Sequence, residues 1–153
     1  MKISEIMTEA AVVDSPNDTL GEAARKMWEQ QTGSLLVLEG DQLLGIVTER
    51  DVLKAVATGT PMDTPVSAVM TKDLITVEPN AKLREAAAIM TEKWIRHLPV
   101  LDSGKLVGIV SQRDLSGVLA GALNEPDDLR RLIEGSGLVR EKRLKRIEAG
   151  DLD

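Results

Sequence analysis

Laid over itself at an offset of about 63 residues, this sequence matches itself without a gap. Met7-Thr8 falls on Met70-Thr71, and Pro16-Asn17 falls on Pro79-Asn80. Leu20, Glu22, Ala23, Ala24 and Met27 fall on Leu83, Glu85, Ala86, Ala87 and Met90. Val37-Leu38 meets Val100-Leu101, Gly45-Ile46-Val47 meets Gly108-Ile109-Val110, and Arg50-Asp51 meets Arg113-Asp114. Chance does not produce such a run, so the chain is an internal duplication. Its period is too long for a solenoid repeat and too short for a comfortable independent domain. Two copies that complete one another's core are the arrangement it implies.

Each copy has the same outline. A short apolar opener comes first, at 12–15 and 74–77. Next comes a helical pattern, with Asp18 or Thr19 as N-cap and Leu20, Ala23, Ala24 and Met27 on one apolar face. Two apolar runs follow around a polar turn, Glu39-Gly40-Asp41 in one copy and Asp102-Ser103-Gly104 in the other, which is hairpin chemistry. A second helix starts at Thr48 or Ser111. The fold class is therefore α/β, with the order strand, helix, strand, strand, helix used twice. The copies span 1–57 and 66–123, joined by a Gly/Pro/Thr-rich linker at 58–65. Residues 124–153 read as a charged helical tail, opened by Pro126 and broken around 135–137. Arg140, Lys142, Arg143, Lys145 and Arg146 there alternate with Leu138, Val139, Leu144 and Ile147. A solvated amphipathic helix packed on the body or on a partner chain accounts for that pattern.

Composition narrows the function. With no Phe or Tyr, and with Trp28 and Trp94 the only aromatics, a flat ligand has to sit between aliphatic side chains. The same lack argues against single-stranded nucleic acid, whose bases stack on aromatics. Both tryptophans, near the ends of matching helices, read as core or interface residues. The absence of cysteine excludes disulfides, thiolate nucleophiles and cysteine-based metal sites. A formal net charge of −6 disfavours nonspecific contact with DNA or anionic membranes. No segment is apolar enough for a signal or a membrane span, so a cytoplasmic protein is expected.

The repeated "GIVTERD" and "GIVSQRD" carry the chemistry. Thr48 with Asp51, and Ser111 with Asp114, are spaced as capping boxes. Capping alone does not call for a strand-ending Gly-Ile-Val before each pair. A strand leading into a helix N-terminus also favours an anion. A carboxylate one turn on offers two acceptor oxygens, which match the cis-diol of ribose. The isoleucine supplies an aliphatic wall for a base. Hydroxyl, carboxylate and wall together describe a ribonucleotide site.

These residues resemble the tandem cystathionine beta-synthase (CBS) domain module. The likeness rests on "GSLLVLEGDQLLGIVTERDVL" (33–53), "IRHLPVLDSGKLVGIVSQRDL" (95–115) and the openers "IMTEAAVV" and "VMTKDLITV". It implies two β-α-β-β-α repeats packed about a pseudo-two-fold, with two clefts that bind AMP, ADP, ATP or S-adenosylmethionine. By that resemblance one cleft takes Ile46, Thr48 and Asp51 from the first copy, and Met70, Ile75, Ile95, Arg96 and His97 from the second. The other takes Ile109, Ser111 and Asp114 with Met7, Val12, Thr32, Gly33 and Ser34. Asp51 and Asp114 would hold ribose, Thr48 and Ser111 would reach phosphate or ribose, and the apolar residues would enclose adenine. Since Arg96 and His97 suit a phosphate, the cleft of Thr48 and Asp51 is expected to be the preferred one. His97 alternatively serves the start of a buried strand beside Pro99. Arg50 and Arg113, in first helical turns, project to solvent or serve an anion nearby.

Three functions follow. One is a nucleotide-sensing regulatory module that signals to a protein partner, as a homodimer covering Leu53, Val56, Leu115, Val118 and Leu119. The second is a ligand-free scaffold that dimerises and docks on an enzyme or transporter. An enzyme is disfavoured, because no nucleophile–base pair, metal constellation or Gly-rich phosphate loop is present.

Overall fold

The computed structural model describes residues 1–9, 11–122 and 141–150. In the first copy, helix α1 (Leu20–Gln30) buries Leu20, Ala23 and Met27. Its cap is Thr19, whose Oγ1 accepts from the Glu22 amide at 3.2 Å while Glu22 Oε2 accepts from the Thr19 amide at 2.9 Å. Asp18, the other expected cap, instead accepts from the Ser15 amide at 2.8 Å and closes the preceding turn. Strands β2 (Ser34–Glu39) and β3 (Gln42–Thr48) form the hairpin, and helix α2 (Glu49–Thr58) leaves from its end. The second copy repeats this with α3 (Leu83–Lys93), β4 (His97–Asp102), β5 (Lys105–Ser111) and α4 (Gln112–Ala122). Its tight turn places both Ser103 (φ 52°) and Gly104 (φ 81°) in the left-handed region that two-residue hairpin turns favour. A register shift recurs at matching places, between Val37 and Leu38 and between Val100 and Leu101.

The openers differ between copies. Strand β1 (Val13–Asp14) pairs in parallel with β2, giving a three-stranded sheet β1-β2-β3. The strand expected at 74–77 is reduced to one parallel bridge, Val77 to Val100, and β4-β5 stands as a two-stranded sheet. The cause is visible in the repeat. The Leu36 amide donates to the Val12 carbonyl at 2.9 Å, and its counterpart Pro99 has no N–H to give.

Each copy completes the other's core. Ile3, fully buried, packs with Ala86, Met90, Leu98, Val100 and Val110 of the second copy. Val66, equally buried, packs with Leu20, Ala23, Leu35, Val37 and Val47 of the first. Backbone bonds fix the exchange: Ile3 N to Ala81 O at 2.9 Å, and Val66 N to Asp18 O at 2.8 Å. Thr8 and Ile109 then exchange amide–carbonyl bonds at 2.9 and 3.0 Å, and Ile46 and Thr71 do the same at 3.1 and 2.9 Å. This crossing explains the two glycines of the repeated motif. A Cβ on Gly45 would lie 2.9 Å from the Thr71 carbonyl oxygen, and one on Gly108 would lie 2.7 Å from that of Thr8. Gly108→Ala is therefore expected to lower stability by about 1–3 kcal/mol through overpacking. Urea denaturation would read this, and an unchanged midpoint would refute the crossing.

The described part of the tail, 141–149, is helical. Lys145 pairs with Glu141 at 2.7 Å, and the Arg146 guanidinium lies 5.5 Å from the centroid of the Trp94 ring. The expected helix start at Pro126 and the break at 135–137 lie outside the described residues.

Candidate functional site

Strand β5 ends on Ser111, and α4 starts at the next residue, so Ser111 stands where strand becomes helix. Its amide and its hydroxyl both donate to Asp114 Oδ2, each at 2.7 Å. In the first copy the Thr48 amide and hydroxyl donate to Asp51 Oδ2 at 2.8 and 3.3 Å. The capping role is thus present twice. It occupies one oxygen of each half-buried carboxylate, and no described residue donates to Oδ1 of either.

Only one of the two carboxylates faces a cleft between the copies. A cavity of about 1090 Å³ is lined by Ser111, Asp114 and Ile109 of the second copy together with Val12, Thr32, Gly33 and Ser34 of the first. Seven of the eight residues in the Asp114 group, Asp114 included, therefore meet here. Met7, the eighth, lies under β5, where its Sδ would be 3.0 Å from a Cβ on Gly108. Of the other group, Arg96 and His97 line this same cavity, while Ile46, Thr48, Asp51, Met70, Ile75 and Ile95 do not. Met70 packs against Gly45, and Ile75 and Ile95 pack on the second core.

The grouping thus differs from the sequence expectation, because Arg96 and His97 sit on the Asp114 side. Hairpin register is the reason. His97 is the cross-strand partner of Ser111, and the Gln112 amide donates to the Arg96 carbonyl at 2.9 Å.

Charge in the cleft is mixed. Arg96 Nη2 donates to Glu49 Oε1 at 2.5 Å, and both side chains are more than half exposed. Exposed Arg113 also lines the cavity, which is the anion-facing alternative for that residue. Burial, followed by the neighbouring Arg96 charge, pushes the His97 imidazole below its ordinary value, against the opposing pull of Glu49 and Asp114. The shift favours the neutral imidazole over the cation.

Glu49 and Trp28 are among the lining residues that the sequence reading did not assign to a site. Glu49 follows Thr48 directly and reaches Arg96 across the copies. Trp28, expected in a core or interface, is 81% exposed and lines the cavity. It stands four residues after Ala24, which also faces the cavity, and the helical period would have put the two on one side.

Fold and cleft together define a duplicated α/β module with a ligand-sized cavity between its copies. The family model for the CBS domain matches twice, at residues 3–58 and 66–121, and the chain belongs to that family. It is 44% identical over 120 residues to an uncharacterized 17.7 kDa protein of Acidianus ambivalens, covering 77% of this chain and 73% of that one. It is 39% identical over 115 residues to the CBS domain-containing protein YhcV of Bacillus subtilis, covering 74% and 82%. Among solved structures, the CBS domain pair of protein MJ0100, in complex with 5-methylthioadenosine and S-adenosyl-L-methionine, superposes with a TM-score of 0.74. That match has 25% identity and covers 79% of this chain and 97% of the other. Tandem CBS domains are regulatory ligand-binding modules. Among the described residues, no helix is long and apolar enough to cross a membrane.

Proposed function

We propose that this protein senses an adenosine nucleotide (AMP, ADP or ATP) or a related compound such as S-adenosylmethionine, and transmits occupancy to a protein partner. The observation that carries the reading is the Asp114 carboxylate. It lines the cleft with one oxygen committed to Ser111 and the other open to a ribose diol. Val12 and Ile109 flank it with aliphatic surface for a base, and Arg96 and Arg113 supply charge for phosphate. The adenosyl ligands held by the CBS pair of MJ0100 support the same ligand class.

A homodimer is proposed to form through α2 and α4, where Leu53, Val56 and Leu119 are 69%, 65% and 44% exposed. Those same faces favour the second reading, a scaffold that docks on its partner without a ligand. A thermal-shift panel of AMP, ADP, ATP, S-adenosylmethionine and NAD separates the two. A ligand at a hundredfold excess over Kd stabilises by about 2.7 kcal/mol, a melting shift of about 5 °C or more. At least one adenosyl compound is expected to give that shift, and a flat panel would favour the scaffold.

A further inference from the structure

Resting on the nucleotide reading, we propose that Glu49 is an internal competitor for the ligand's phosphate and so sets how the cleft responds to ligand charge. Its carboxylate sits where an anion would be held. It accepts from Arg96 at 2.5 Å, and its Cδ is 3.4 Å from where a Cβ on Gly33 would stand. Gly33, Glu49 and Arg96 all line the cavity beside Asp114. The placement is fixed by backbone, since the Glu49 amide donates to the Gly33 carbonyl at 3.1 Å.

A phosphate that approaches Arg96 meets a guanidinium already neutralised. It must displace the Glu49 carboxylate or accept its repulsion, and that penalty grows with each phosphate charge. An uncharged adenosine meets no such penalty. Among the described residues, this is also the ion pair that joins the two copies; the others lie within the first copy and within the tail. Capture of Arg96 by a phosphate therefore releases α2 from the segment leading into β4. Occupancy is converted into a change at the seam between the copies.

Titration calorimetry with adenosine, AMP and ATP tests this on wild type, Glu49→Gln, Arg96→Gln and the double variant. Both side chains are more than half exposed, and circular dichroism checks that each variant is folded. Glu49→Gln is expected to raise ATP affinity about three- to fivefold, the scale of an exposed ion pair, and to leave adenosine within about twofold. Arg96→Gln is expected to weaken ATP and spare adenosine. In the Arg96→Gln background the gain from Glu49→Gln shrinks, because no guanidinium is left to compete for and only the carboxylate's repulsion of the phosphate remains. The proposal is overturned if Glu49→Gln moves adenosine and ATP by the same factor or moves neither, or if its ATP gain persists undiminished in the double variant. Should wild type bind none of the three compounds, the nucleotide reading itself fails, and this inference fails with it.

Discussion

Replacing Lys26 with methionine is expected to lower stability by about 2–3 kcal/mol at neutral pH, a fall in melting temperature of about 5–10 °C. Lys26, on α1, pairs with Asp14 at the end of β1 and donates to the Val13 carbonyl at 3.2 Å. The Asp14 side chain is fully buried while that of Lys26 is 44% exposed, and Asp14 Oδ2 is buried without a partner. Methionine keeps the apolar stem but removes the only cation paired with that carboxylate among the described residues. Breaking a fully buried pair costs about 3–5 kcal/mol, and the exposed lysine end discounts that figure.

Burial holds the Asp14 carboxyl above the usual carboxylate range; Lys26 opposes the shift, and nearby Asp18 adds to it. A carboxyl raised in the folded state binds its proton more tightly there than in the unfolded chain. Its favourable contribution is complete below the unfolded value and disappears as pH rises through the folded one. The methionine variant's deficit should therefore be largest near pH 7 and shrink towards pH 4. Asp14→Asn removes the charge and leaves a lysine that can turn to solvent, so it is expected to cost less than Lys26→Met. Urea titrations at the two pH values would check all three statements. A Lys26→Met protein as stable as wild type at pH 7 would show that the pair has no structural weight.

The duplication made the helices and hairpins legible, because matching residue types recur at matching positions. Thr19 as a cap, Gly104 in a turn and the apolar row of Leu20, Ala23 and Met27 are local signals, and local signals survive in sequence. Long-range placement was less visible. Nothing in the local pattern around Ile3 or Val66 says that each belongs to the other copy's core. The shortened opener of the second copy could have been read, since Pro99 stands in the sequence where a donor is needed. The bulge between Val100 and Leu101 could not, and it sets the register that puts His97 across from Ser111. For that reason the capping pairs were legible, while Arg96 and His97, grouped from sequence with Asp51, line the cavity beside Asp114. Glu49 was missed because its role depends on a partner in the opposite copy.

Asp51 and Asp114 offer a matched comparison. Each caps a helix through Oδ2, so each loses a similar capping contribution on truncation, about 1 kcal/mol. Only Asp114 lines the cleft. A ribose diol held by its carboxylate would make two hydrogen bonds to a charged acceptor, each worth about 1.5–3 kcal/mol. Their loss corresponds to at least a tenfold fall in affinity. Titration calorimetry of AMP against wild type, Asp114→Ala and Asp51→Ala, each confirmed folded by circular dichroism, is the most direct measurement. A loss of tenfold or more is expected for Asp114→Ala and less than threefold for Asp51→Ala. Equal losses, or a loss confined to Asp51→Ala, would contradict the ribose role of Asp114.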